Sequence, residues 1–173
     1  MTKEQLFKLV NQYSLNDILF IDETSIVLNN VPSYGWSGKG EKCEIKQPVV
    51  TKRYTLLMGI STTKIYYTIT NDSIDHIKFN EFINTIDNTY VLFMDNARIH
   101  HNKILKKHMI DNNIDHIYNI PYSPEYNPIE KIFNTLKIQM RNNKINNLKS
   151  IERFIKAKCT KELLTNTINH VYN

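Results

Sequence analysis

Tyr122 to Leu136 reads Y-S-P-E-Y-N-P-I-E-K-I-F-N-T-L, and it marks where a helix begins and what that helix carries at its start. A residue before proline is pushed out of the helical region, so Pro124 and Pro128 predict an extended chain up to Asn127. Pro128 suits a first helical position, where a missing N–H costs nothing, and Asn127 is a good cap for the N–H groups behind it. Ile129, Ile132, Phe133, Leu136 and Met140 then recur with helical period as one apolar stripe. Glu130 lies off that stripe, on a face shared with Asn134, Lys137 and Arg141. The ordinary role for such an acid is a capping box, in which Glu130 bonds back to the Asn127 N–H, and acids are favoured in a first turn in any case.

Two other acids give Glu130 company. Asp22 ends the apolar run Ile18-Leu19-Phe20-Ile21, and Asp95 ends Val91-Leu92-Phe93-Met94. Runs of four apolar residues bounded by polar ones predict buried strands of a mostly parallel sheet. Acids at the carboxyl ends of such strands stand where open α/β sheets place their ligands, so three carboxylates can meet there. For either Asp alone, the competing role is that of a turn residue capping the next loop.

Four blocks in order, D-E-T at 22–24, W-S-G-K-G-E at 36–41, D-N-A-R-I-H at 95–100 and Y-S-P-E-Y-N-P-I-E at 122–130, resemble the catalytic domain of mariner-superfamily DDE transposases, especially the bacterial insertion-sequence branch. The 34 residues between Asp95 and Glu130 are the interval typical of that family. The likeness runs over roughly 17–142, and its last block is the specific one. It implies an RNase H-like fold, α/β with a five-stranded mixed sheet flanked by helices. It also implies DNA strand cleavage followed by 3′-hydroxyl strand transfer, catalysed by Asp22, Asp95 and Glu130. Two Mg²⁺ ions would be held by these acids, with Mn²⁺ able to substitute. Asp22 would bridge both ions, Asp95 would hold one and Glu130 the other. Two metal ions suit phosphodiester chemistry because they activate the attacking oxygen and stabilise the leaving one. Small, hard Mg²⁺ needs only a few carboxylates beside water and phosphate.

Around the acids, His100 stands where relatives commonly keep a histidine, and it is expected beside phosphate or water, against the alternative of a satisfied loop histidine. Asn96 and Glu23 are candidates for a supporting shell, although turn geometry explains Asn96 and strand alternation points Glu23 to the other side of the sheet. Trp36 is expected to pack, the alternative being a loop near the acids in which Lys39 approaches phosphate.

At 173 residues, with 41% hydrophobic and 23% charged content, the chain is long enough for one packed domain and does not have the composition of a disordered one. The expected division is an N-terminal helix in 1–16, the core in 17–142 and a basic C-terminal helix in 143–173. No run of 18 apolar residues and no signal-peptide core is present, so an intracellular protein with no membrane partner is expected, and the resemblance implies that it is DNA-associated. Cys43 and Cys159 form no C-x-x-C pair and are expected to be free thiols. From Lys131 to Lys161 nine basic residues face one acid, whereas residues 1–30 carry two basic and four acidic ones. A basic C-terminal third beside a carboxylate cluster suits double-stranded DNA, with Lys39, Lys103, Asn134, Lys137, Arg141 and Lys144 as candidate contacts.

Coarse periodicity predicts a helix over 2–13 with a Thr2-x-x-Gln5 capping box and a strand over 17–22. A long loop or irregular hairpin follows over 26–50, then strands over 53–61 and 64–70. Asp75 or Ser73 caps a helix bearing Phe79, Phe82, Ile83 and Ile86. A basic helix over 103–113, a strand over 115–120 and a final helix over 150–172 complete the order βββαβαβα. The resemblance further implies TA-containing target DNA, element ends and a homodimer as partners. Only 21 residues precede Asp22, so a helix-turn-helix recognition module is expected to be a separate polypeptide or to have been excised. A resolvase-type nuclease on the same fold and an inactive DNA-binding relic are the alternatives.

Overall fold

Thr2 opens the chain with the expected capping box. Its hydroxyl accepts from the Gln5 N–H, and Gln5 takes up the Thr2 N–H, ahead of helix α1 (Lys3–Val10). The computed structural model describes residues 1–29, 35–44 and 51–172.

Strand β1 (Ile18–Asn29) pairs antiparallel with β2 (Thr51–Ile60), which pairs antiparallel with β3 (Ile65–Thr70) across a tight turn where Ser61 N–H donates to Lys64 O. On its other side β1 runs parallel to β4 (Val91–Met94), and β4 parallel to β5 (His116–Tyr118). The order β3-β2-β1-β4-β5 is the five-stranded mixed sheet of an RNase H-like fold. Parallel neighbours need crossovers, and these are helices α2 (His76–Ile83, capped by Asp75) and α3 (Lys103–Asp111). Helix α4 (Ile129–Asn142) packs on β1, and α5 (Leu148–Lys158) and α6 (Lys161–Tyr172) pack on α4.

Period-two alternation explains the apolar runs. Ile18 and Phe20 enter a core with Val91, Phe93 and the stripe of α4, while Leu19, Ile21, Leu92 and Met94 enter a second core with α2 and α3. The sheet is therefore buried on both faces. Gly59 sits where β2 crosses Leu19, and a Cβ there would lie 2.9 Å from Leu19 Cδ2.

Four expectations need correction. β1 does not end at Asp22 but continues to Asn29, with Ile26 and Leu28 buried and Val27 exposed. The polar run Asp22-Glu23-Thr24-Ser25 hid that alternation, so the region read as loop begins later than 26, and residues 30–34 and 45–50 of it lie outside the described residues. Trp36 does not pack; it is fully exposed. The chain is not extended up to Asn127, because Pro124–Tyr126 form a 3₁₀ turn. The final helix is two helices, broken where Cys159 leaves helical geometry at φ −80°, ψ 66° and Thr160 caps Leu163 N–H. The break shifts the phase, so Leu164 rather than Leu163 is buried.

Candidate active site

Sheet geometry brings the two Asp residues to one edge of the core. The parallel ladder between β1 and β4 ends at Phe20↔Phe93; Asp22 lies two residues past that end, and Asp95 directly follows β4. Alternation assigns Asp22 to the face that carries α4 and Glu23 to the face that carries α2 and α3. Asp22 is half-buried; its Oδ1 accepts from the Glu23 N–H at 2.7 Å and its Oδ2 from Asn127 Nδ2 at 3.4 Å.

Glu130 occupies the first turn of α4, and the capping box does not form. The Asn127 N–H that Glu130 would have taken up goes instead to Pro124 O at 2.9 Å, and no side-chain cap bond is made by Pro128. Asn127 Oδ1 accepts from Ile129 N–H at 3.4 Å, so the asparagine caps and the glutamate is released from that duty. Burial pushes the Asp22 carboxyl up to about 7, with the negative charges of Asp95 and Glu130 adding to the rise against the Glu23 N–H and His100, which oppose it. Asp22 thus feels both of the other acids.

Desolvation by itself would raise Asp95, but the His100 hydrogen bond, the Ala97 N–H and the positive sides of His100 and His101 outweigh it and hold its carboxyl below the usual range. His100 Nδ1 stands 2.7 Å from Asp95 Oδ1 and 3.2 Å from Asp95 O, and Ala97 N–H donates to the same Oδ1 at 2.9 Å. The ring is buried against Phe79, with ring centroids 4.4 Å apart. His100 is therefore a buried partner of Asp95, not an exposed contact for phosphate. Asn96 turns toward β5: its Nδ2 donates to Asn119 O and its Oδ1 meets His101 Nε2 at 3.2 Å. Glu23 keeps much of its surface in solvent, but partial desolvation of its carboxyl raises it, with His100 lowering and Asp95 raising it in turn.

Among the described residues no three His, Cys, Asp or Glu side chains are gathered into a ready metal cage. The donor chemistry nevertheless fits a hard cation. Two carboxylates of like charge act on a half-buried third, and Mg²⁺ binds through a few such oxygens with water and phosphate completing its shell. The interior of β1 fixes Asp22 and the end of β4 fixes Asp95, whereas Glu130 sits on a helix with one more rotatable bond and has the freedom to close the set.

The basic candidates fall on and just past α4, on α3 and in the 35–44 segment. Asn134, Lys137 and Arg141 follow Glu130 along one face of α4, with Asn134 and Arg141 exposed and Lys137 half-buried. Lys144 is exposed just past the helix with φ 50°, and Lys103 is exposed at the first turn of α3. Lys39 is exposed in a turn and makes no hydrogen bond or ion pair among the described residues. Cys43 and Cys159 are free, and burial pushes the Cys159 thiol up to about 11. No described helix is long and apolar enough to cross a membrane. Sequence reasoning gave Asn127 only a capping role. Its contact with Asp22 crosses 105 residues, and no local pattern signals it.

A family model described as DDE superfamily endonuclease matches residues 17–152. No curated protein matches the chain. Among solved structures, the chain is similar to the Mos1 mariner paired-end complex with Mn, with TM-score 0.79, 15% identity, and 98% of this chain and 56% of that one covered. The Mos1 transposase paired-end complex with the left transposon end gives TM-score 0.78 at 15% identity, with 98% and 56% covered. The catalytic domain of Mos1 mariner transposase alone gives TM-score 0.73 at 14% identity, with 98% and 84% covered. At such identities the likeness is one of fold, and the chain spans only about half the length of the Mos1 chains in the complexes.

Proposed function

The chain belongs to the DDE superfamily endonuclease family, and from that footing we propose that it is the catalytic domain of a DNA transposase, with Asp22, Asp95 and Glu130 as its catalytic and metal-holding residues. The observation that carries this is the placement of the acids: Asp95 follows β4 beside the strand that bears Asp22, and Asn127, at the start of the helix that bears Glu130, reaches Asp22 Oδ2 at 3.4 Å. A carboxyl raised to about 7 by burial and by two neighbouring acids is a site that a divalent cation would relieve.

The reaction is hydrolysis of a phosphodiester at the end of a mobile element, which frees a 3′-hydroxyl, followed by attack of that hydroxyl on a phosphodiester of the target strand. Two Mg²⁺ ions, replaceable by Mn²⁺, would activate the attacking oxygen and absorb charge on the leaving one. Asp22 offers the oxygen edges left free by Glu23 N–H and Asn127. Asp95 is turned by His100 so that Oδ2 remains open, and Glu130 approaches from α4. The row Asn134, Lys137, Arg141 and Lys144, with Lys103 and Lys39, would receive the phosphates of double-stranded DNA.

Matched Mos1 structures are described as complexes with a transposon end and as a strand transfer complex. By that likeness, element ends and TA-containing target DNA are the proposed substrates. A homodimer is the proposed active assembly, working with a helix-turn-helix module, and an intracellular, DNA-associated setting follows from the substrate. The bacterial insertion-sequence branch belongs to the same proposal.

Nicking of supercoiled plasmid tests the assignment. With Mg²⁺ present, Asp95→Asn and Glu130→Gln should each lose at least ~10²-fold in rate, since metal-borne stabilisation is worth several kcal/mol. DNA affinity should stay near that of the parent, and chelation should silence the parent. Parent-like nicking by either variant removes the assignment.

A further inference from the structure

We propose that Asn127 is a positioning residue, which fixes Oδ2 of Asp22 and fastens the start of α4, and so Glu130, to β1. The inference rests on the metal-holding role given to Asp22 above.

Asn127 is 2% exposed, and every polar group it owns is engaged. Its backbone N–H donates to Pro124 O at 2.9 Å and its carbonyl accepts from Glu130 N–H at 3.2 Å. Side-chain Nδ2 reaches Ile21 O at 3.3 Å and Asp22 Oδ2 at 3.4 Å, while Oδ1 accepts from Ile129 N–H at 3.4 Å. The partners decide which end of the amide is which. A carbonyl and a carboxylate oxygen need a donor, and a helix N–H needs an acceptor. No other side chain of this size supplies both. Aspartate cannot donate, and serine or threonine caps the helix but stops short of β1.

Two consequences follow for the acids. Asp22 is gripped from both sides, Oδ1 by the Glu23 N–H and Oδ2 by Asn127, so its carboxylate plane is set before any cation arrives. Glu130 is three residues beyond Asn127, so this amide, together with the α4 stripe packed on β1, sets its placement against Asp22 across a sequence separation of 105. Loss of a hydrogen bond that orients a metal-binding carboxylate commonly costs about 10–100-fold in metal affinity.

Mn²⁺ binding to the full chain without DNA, followed by the electron paramagnetic resonance of free Mn²⁺, tests this apart from catalysis. Asn127→Ser caps a helix about as well as asparagine, so a capping role alone leaves Mn²⁺ affinity unchanged. Positioning predicts a loss of at least ~10-fold, with metal-free DNA affinity retained, and Asn127→Thr serves where the serine variant does not fold. In the parent, the Asn127 side-chain NH₂ resonances should shift on Mg²⁺ titration while those of Asn134 do not. Parent-like Mn²⁺ affinity in the folded variants, or NH₂ signals that ignore Mg²⁺, overturns the proposal. A parent chain that takes up no Mn²⁺ overturns the metal-holding role of Asp22, and this inference falls with it.

Discussion

Asp22 is the residue at which burial and charge work against each other. A carboxyl moved from 3.8 to about 7 costs on the order of 4 kcal/mol once it ionises in the metal-free fold. Between pH about 4 and about 7 the folded chain keeps that proton while the unfolded chain has lost it, so metal-free stability falls as pH rises through the window and levels off above it. Asp22→Asn should therefore melt several degrees above the parent at pH 8 without metal, and the gain should shrink toward pH 4. Mg²⁺ should stabilise the parent and not the variant. Coincident melting curves at pH 8 would show that Asp22 is not strained. The same proton competes with the cation, so Mn²⁺ affinity should weaken about tenfold per pH unit below about 7, as measured by titration at pH 5, 6 and 7. Asp22 and Asp95 were legible in the sequence because each follows a run of four apolar residues, and Glu130 because it lies off the apolar stripe at the start of its helix. The burial of His100 against Phe79 and the reach of Asn127 to β1 were not, since both depend on partners that only the packed sheet brings near.

Helix α4 owes its place to more than its own stripe. The 3₁₀ turn Pro124–Tyr126 that leads into it is held by elements from both ends of the chain. Tyr172 of α6 donates its hydroxyl to Tyr126 O at 2.6 Å, and Phe7 of α1 meets the Tyr126 ring edge-on with centroids 5.9 Å apart. Tyr172 also stacks on Phe20 at 5.6 Å, which links this buttress to β1 two residues before Asp22. Tyr172→Phe keeps the rings but leaves Tyr126 O without its donor, at a cost of about 1 kcal/mol. Urea denaturation should show that loss. Because the turn leads directly to Asn127, nicking should fall more than DNA affinity does, and an unchanged midpoint would mean the hydroxyl contributes nothing. Elements with clean periodicity, α2 and the α4 stripe, could be read directly. β1 was cut short because its second half alternates beneath polar residues, and the last helix was read as continuous because Thr160 looks like any helix residue until its hydroxyl is seen capping Leu163.

Charge is the property that belongs to the chain as a whole. A net +5 is modest, but the excess gathers in the final third, while the first thirty residues carry more acid than base. Folding places part of that excess on the helix that bears Glu130, because Lys137 and Arg141 share its face of α4. Asn134, Lys137 and Arg141 follow Glu130 at about 6, 10 and 16 Å along the helix axis at 1.5 Å per residue, a track suited to a phosphate backbone leading away from a cleaved bond. Binding through such a track releases counterions, so log K should fall linearly with log salt at a slope of about −0.9 per phosphate neutralised. Lys137→Ala and Arg141→Ala should each weaken DNA binding across sequences and flatten that slope by about 1. Lys8→Ala, which removes an exposed cation from α1 in the acidic part of the chain, should leave the slope unchanged. Fluorescence anisotropy with one labelled duplex from 50 to 200 mM salt, the range over which such contacts typically change affinity most visibly, separates these outcomes. If all four proteins give parallel lines, the DNA does not lie along α4, and the path of the duplex must be sought on the α3 side of the acids, where Lys103 begins the other basic helix.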